Sequence, residues 1–372
     1  MRTPIAERLG IEWPIFGFSH CRDVVAAVSK AGGFGVLGSS AFTPEQLELE
    51  LRWLDGNVNG RPYGVDVLVP AQLDEGPQAS SQPPDLSAQH RSFVASLLDR
   101  FAVPELPDGA RPELHLGWAA MLKRSDVLAQ IDLAFSHRVA ALVNALGPLP
   151  GEYLERAHRQ GCLVGSLAGK PEHALAHVDA GVDFIVAQGT EAAGHTGEIA
   201  TMVLVPEVVD AVGADVPVLA AGGIGSGRQL AAAMALGAQG AWLGSIWLTS
   251  AESDTEPALK QMMLDARCGD TMRTKENSGK PCRGLRTPWR EAWLADDSPG
   301  TLPMPLQGML TYDAKLRIQQ ARRYDLAHVT VGQVVGRMNK PQSVSQIVYG
   351  LAEEYIATVG RMSAGIAEMT AK

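Results

Sequence analysis

One titratable ring stands in a run of small residues, Gln188-Gly-Thr-Glu-Ala-Ala-Gly-His195-Thr-Gly197. Histidine, with an ordinary pKa of about 6.5, suits general acid–base work or the anchoring of an anion. A second constellation, Ala220-Ala-Gly-Gly-Ile-Gly-Ser-Gly227, puts glycine at 222, 223, 225 and 227, and Gly244-Ser245 follows one segment later. Glycines let backbone N–H groups approach an anion closely, and a following helix adds a favourable dipole. A phosphorylated cofactor or substrate is implied. His20 and Lys170 are further candidates to touch a substrate. The bland alternatives are a rim-packed cap region for His20-Cys21, a solvated loop lysine for Lys170 and a tight turn for the glycines. For Lys170 the bland reading leads; at His195 and Gly222–Gly227 the functional one does.

These groups need elements to hold them. Short apolar runs at Trp13–Phe18, Phe34–Gly38, Tyr63–Leu68, Arg138–Asn144, Cys162–Leu167, Val182–Ala187, Val216–Ala221 and Gly240–Leu248 read as eight strands. They are nearly continuous rather than alternating, as parallel strands buried on both faces are. Helical patterns lie between them at Arg22–Ala31, Pro44–Leu54, Ser125–Phe135, Gly151–Gln160, Pro171–Ala180, Pro206–Val212 and Gly227–Leu236. Strands alternating with helices predict βαβ units. Several units close on a small residue and a glycine, as at Ala31-Gly32, Ala180-Gly181 and Leu236-Gly237, a junction that ends a helix in the left-handed region. The repeat predicts an α/β fold of the TIM (β/α)8 type over residues 1–251. A doubly wound sheet competes, but no G-x-G-x-x-G follows the first strand. In a parallel barrel the reactive groups emerge at the strands' C-terminal ends, where His195 and both glycine loops fall.

The chain has 372 residues, too many for the barrel alone. The surplus is assigned to an insertion after strand three, 71–114, with one amphipathic helix around Gln89–Phe101, and to a mainly helical C-terminal extension, 252–372. The extension is predicted to carry helices near Asp313–Arg323 and Ser343–Met369 and to pack on the barrel. Cys268 and Cys282 flank a basic stretch with Arg273, Lys275, Lys280, Arg283 and Arg286, read as a solvated surface loop. The formal charge of −9 argues against a nucleic-acid partner, whose phosphates demand Lys and Arg. The four cysteines show no C-x-x-C spacing and imply neither a metal site nor structural disulfides. With no export signal in Met-Arg-Thr-Pro-Ile-Ala-Glu-Arg, a cytoplasmic location is expected. Residues 229–251 carry no charge, yet their polar residues and glycine breaks fit a helix and a buried strand better than a membrane span.

Ala187–Gly197, Pro206-Glu-Val-Val and Pro217-Val-Leu-Ala-Ala-Gly-Gly-Ile-Gly-Ser-Gly227 closely resemble the flavin-dependent nitronate monooxygenases, formerly 2-nitropropane dioxygenases. Ala26–Gly38 resembles that family's first βαβ unit, and the likeness covers roughly residues 4–250, with a further patch around Pro303–Met309. The resemblance implies FMN as cofactor and oxidation of an anionic alkyl nitronate with O2, without a nicotinamide. By position it assigns His195 as the catalytic residue. It assigns Phe18, Asp66, Gln188, Gly189, Ala193, Gly194, Gly222, Gly223, Gly244 and Ser245 to the cofactor, with His20 and Lys170 toward substrate. Three residues depart from the family pattern: Ala193 replaces a glycine, Asp66 an asparagine and Trp242 a glutamine. Two other functions compete, an NAD(P)H-dependent flavin reductase of quinones or enoyl thioesters and a non-redox CoA-thioester hydrolase, lyase or ligand-binding protein. A homodimer is the macromolecular assembly considered.

Overall fold

In the computed structural model, which describes residues 2–69, 86–107 and 124–370, eight parallel strands close into a barrel. They are β1 (Ile15–Ser19), β2 (Phe34–Gly38), β3 (Tyr63–Val67), β4 (Val139–Asn144), β5 (Leu163–Ala168) and β6 (Phe184–Gln188), then β8 (Val218–Ala221) and β9 (Gly240–Leu243). Pairing of Phe16 with Trp242 joins β1 to β9 and shuts the cylinder. A two-residue strand, β7 (Gly194–His195), lies outside it and forms a small antiparallel sheet with β10 (Thr271–Thr274) and β11 (Cys282–Leu285).

Because side chains alternate along a strand, each barrel strand feeds two apolar layers. The inner one holds Phe16, Phe34, Phe184, Leu219 and Trp242, with Ile5 and Leu9 of the first helix, Pro4–Leu9, packed against it. Phe16 contacts Phe34, Phe184 and Trp242 at ring-centroid distances of 5.3–6.4 Å. The outer layer, with Tyr63, Val65 and Val67 of β3 among it, packs under the surrounding helices. The glycine junctions behave as the sequence predicts: Gly32, Gly181 and Gly237 all have φ between 87° and 98°.

Two boundaries differ from expectation. The helix before β8 spans Thr201–Val212, so Pro206 lies inside it rather than opening it. The eighth barrel strand stops at Leu243, and Ser245–Trp247 form a 3-10 turn after Gly244. Trp247 is anchored there by its indole N–H to the Leu243 carbonyl, 2.6 Å.

The insertion and the extension meet. Helix Ala88–Arg100 packs Val94, Leu97 and Leu98 against Trp289, Trp293, Leu310 and Ile318 in a third apolar cluster. Arg317 donates to the carbonyls of Val103 and Pro104 at 2.6 and 2.9 Å. The remainder of the 71–114 insertion, 71–85 and 108–114, lies outside the described residues. The extension's helices run Leu306–Gln320 and Val344–Thr370. Among the described residues, no helix is long and apolar enough to cross a membrane.

The terminal helix seats on the helix Gly227–Ala235, where Glu354 accepts from the N–H of Gly227 at 2.8 Å and from Arg228 at 2.7 Å. Backbone meets backbone here: a Cβ at Gly227 would lie 2.2 Å from the Tyr355 nitrogen and 2.4 Å from the Leu351 carbonyl. Gly227→Ala should therefore cost about 1–3 kcal/mol in denaturant unfolding, the range for overpacking. Gly350→Ala on the same terminal helix, where a Cβ meets nothing within 4 Å, should instead gain roughly 0.5–1 kcal/mol. Equal effects at the two sites would contradict this packing.

Candidate functional site

The loop leaving β6 is organised by Glu191. Its Oε2 accepts from the backbone N–H and the hydroxyl of Thr201 at 2.9 and 2.8 Å, so a carboxylate caps the N-terminus of helix Thr201–Val212. That capture explains why the helix begins ahead of Pro206. The Glu191 carbonyl accepts from Gln333 of the extension at 2.9 Å, and Gly332 donates to Ser245 Oγ at 2.9 Å. Loop six, the turn after β9 and the extension thus share one knot. Gly189 belongs to it, since a Cβ there would fall 2.1 Å from Thr201 Oγ1.

His195 is held by the small sheet. Residues 194 and 195 pair with Arg283 and Cys282 of β11, and Arg283 donates from Nε to the Thr190 carbonyl at 2.8 Å. The imidazole reaches the surface while its Nε2 meets Ser278 Oγ at 2.7 Å. Desolvation of the ring, reinforced by Lys280 and by His328 when that ring is protonated, lowers its pKa. The neutral imidazole is thereby favoured near pH 7.

The other sequence candidates fall around the same end of the barrel. Gly222 and Gly223 adopt φ of 106° and 72°, and a Cβ on Gly222 would meet Thr201 Oγ1 at 2.8 Å and the Gly189 carbonyl at 3.1 Å. A Cβ on Gly244 meets only Phe18 Cδ1, at 3.8 Å, so the space beside it is open. Phe18 stacks on Trp242 with centroids 6.0 Å apart and meets His20 edge-on at 5.2 Å. His20 donates from Nδ1 to the Gly38 carbonyl at 2.9 Å. Asp66, on β3, is buried, and its Oδ1 has no hydrogen-bond partner. Lys170, although exposed, lines a cavity of about 460 Å³ together with Gln188, His173 and Glu198. Gly194, at φ 72°, starts β7, and the Ala193 nitrogen lies against Gly332.

The basic stretch is solvated only in part: Lys275, Lys280 and Arg286 are exposed, whereas Arg273 is half-buried and Arg283 buried. Arg273 on β10 and Arg283 on β11 pair across the hairpin that backs His195. Behind that hairpin lies a charged cluster the sequence reading missed. Glu276 accepts from Arg290 Nε at 3.2 Å, from His328 Nδ1 at 3.0 Å and from the Thr274 hydroxyl. Burial pushes the Glu276 carboxyl up, yet His328, Arg290 and Thr274 outweigh it and hold the group down at about 2. Burial lowers His328, pushes the Cys282 thiol up to about 11 and brings Lys315 down to about 8. Cys282 Sγ stands 3.6 Å from His328 Nε2, so the thiol donates to a ring whose other nitrogen is committed to Glu276. The cue in the sequence was faint: Thr-Met-Arg-Thr and Cys-Arg-Gly-Leu around a glycine-containing turn form a hairpin with only four residues per strand.

An eight-stranded parallel barrel with a histidine loop and two glycine turns at one end defines an enzyme class whose chemistry sits past the strand ends. The chain belongs to the nitronate monooxygenase family, whose model matches residues 6–354. Members are oxidoreductases, typically flavin-dependent, that act on small molecules with O2. The Mycobacterium tuberculosis protein "Putative monooxygenase Rv1533" is 50% identical, the match covering 97% of this chain and 98% of the relative. The "Probable nitronate monooxygenase" of Bacillus subtilis is 29% identical over 93% of this chain and 95% of its own. Among solved structures, nitroalkane oxidase from Streptomyces ansochromogenes superposes with a TM-score of 0.77 at 27% identity, covering 96% and 99% of the two chains. FabK from Thermotoga maritima gives 0.74 at 26%, covering 98% and 99%.

Two measurements probe this hairpin. Lys280→Met removes a positive charge near His195, so the imidazole pKa should rise when the ring is titrated by NMR; an unchanged titration would refute that electrostatic role. Glu276→Gln uncouples Arg290 and His328 in a buried setting and should cost about 3–5 kcal/mol of unfolding free energy. In the native protein this carboxylate's contribution is complete above its ordinary pKa and is lost as pH falls toward about 2, the sign expected of a depressed acid.

Proposed function

We propose that this protein is an FMN-dependent oxidoreductase of the nitronate monooxygenase type, oxidising alkyl nitronates or related carbon acids with O2. The observation that carries the reading is the position of His195, pinned by β11 at the end of the barrel that also bears Gly222-Gly223 and Gly244-Ser245.

The residues present fit a flavin mononucleotide. Left-handed backbone at Gly222 and Gly223 and open space beside Gly244 suit a phosphate cradle. Ser245 Oγ accepts from Gly332 and so keeps its own O–H to donate. Phe18, Gln188, Gly189, Ala193 and Gly194 would border the ring system, and the unpartnered Asp66 oxygen awaits a polar atom. When bound, the flavin supplies the electron acceptor for the substrate carbon.

The chain's own residues do the rest. His195, favoured neutral, accepts the proton of a carbon acid such as a nitroalkane and, once cationic, holds the resulting anion. Ser278 fixes the plane of the ring, and Lys280 contributes positive charge to the same neighbourhood. Lys170 and Gln188 line the adjoining cavity, where an anionic substrate would find a cation at the rim.

Purified protein should be yellow, release FMN on denaturation and consume O2 with a nitronate in the absence of NADH. His195→Asn should reduce turnover of a neutral nitroalkane by about 10²- to 10⁴-fold while retaining FMN. Colourless protein that takes up no flavin on reconstitution would sink the proposal. Rapid anaerobic bleaching of the flavin by NADH would move the reaction to a nicotinamide-dependent reductase.

A further inference from the structure

Asp66 is a barrel-mouth group that the chemistry of His195 does not use. It sits near the C-terminal end of β3, with Gly38 of β2 and Val143 of β4 as ladder partners. Tyr63, Val65 and Val67 of the same strand belong to the layer under the helices. Asp66 has the opposite parity and faces the barrel interior, on the side where Gly64 lies against Phe34. The residue is only 7% exposed, and its Oδ1 has no hydrogen-bond partner.

The polar neighbours are otherwise engaged. His20, whose ring covers Gly38, directs its Nδ1–H at the Gly38 carbonyl. Asn144 at the end of β4 uses both side-chain atoms on the backbone of Val69, at 2.9 and 2.8 Å. Glu191, across the mouth, is bound to Thr201, and His195 to Ser278. Among the described residues, no cation offsets the cost of burying a charge on Asp66, and desolvation alone raises its pKa well above the carboxylate range. A neutral carboxyl is the form this setting tolerates, and it carries one O–H donor.

We propose that Asp66 is a neutral carboxylic acid that donates its proton in a hydrogen bond to an acceptor atom of the flavin ring system, so that flavin binding by this protein requires that proton. This rests on the flavin reading above. Below the raised pKa the donor is in place. Above it, binding must first take up one proton, and the FMN dissociation constant should climb about tenfold per pH unit. Stability of the flavin-free protein follows the same sign: Asp66 favours folding while protonated and loses that contribution as pH rises through its folded pKa.

The test titrates FMN into the flavin-free full-length protein by fluorescence quenching from neutral to alkaline pH, with Asp66→Asn alongside. The variant preserves size and a donor while removing the titratable proton, and ionisation of FMN itself appears equally in both. Infrared spectra of both flavin-free proteins at neutral pH supply an independent readout. The expected result is a dissociation constant that rises with pH in the wild type and stays flat in Asp66→Asn after correction for FMN. It includes a protonated-carboxyl band that the substitution removes. Parallel pH profiles, or no such band, would overturn the proposal. Binding of FMN by neither protein would defeat the flavin reading and the donor role with it, while the band would still decide whether Asp66 carries a proton.

Discussion

Two residues of loop six, Gly194 and His195, lie in strand conformation against Cys282 and Arg283, and the site depends on that short antiparallel pairing. A run of small residues has no large apolar side chains with which to fix itself. The strand partner supplies backbone hydrogen bonds, and the Arg283 guanidinium bonded to the Thr190 carbonyl closes the loop from the other side. What would otherwise be a mobile excursion past β6 becomes a framed support for one imidazole. The partner strand is steadied in turn by Arg290, which donates to the carbonyls of Cys282 and Leu285 and is itself neutralised by Glu276.

A buried charge cluster of this kind is weak evidence of stability, since desolvating each ion is costly and apolar residues often serve as well. Its directional bonds do something apolar packing does not: they fix where β11 lies relative to loop six. Glu276 joins Arg290, Thr274 and His328, and Gln307 reaches the Glu276 carbonyl at 3.0 Å, so one strand, β10, two helices, Pro288–Ala292 and Leu306–Gln320, and the His328 loop share one set of bonds. The placement of His195 is therefore set by groups that do not touch it.

The barrel was legible because its signals are local and repeated. Continuous apolar runs such as Phe184–Ala187 announce buried parallel strands, and each helix-ending glycine adopts the left-handed backbone its position implies. That the glycines at 222, 223 and 244 and the ring at 195 gather at one end of the barrel was legible because each follows the end of a strand. The extension's two main helices were legible as well, but its bonds to the barrel loops were not. Arg283 looks solvated in a linear reading because its partner is Thr190, and Arg290 gives no signal at all because Thr274 and Glu276 are distant in sequence; long-range bonds leave no periodicity. The start of helix Thr201–Val212 was hidden for the same reason, its cap being a glutamate ten residues upstream. Asp66 was visible as a departure from the family pattern, whereas its lack of a partner required the fold.

The terminal helix carries one further consequence, concerning the order of synthesis. The barrel's last strand ends at Leu243, while the strand that frames His195 begins at Cys282 and the carboxylate that ties down Gly227 is Glu354. A growing chain folds from its N-terminal end as it emerges. All eight barrel strands are therefore made before the residues that hold the histidine exist, and the cylinder can close around its aromatic interior with loop six still untethered. Barrel and histidine loop are separate events in time, and the second waits for nearly the whole chain.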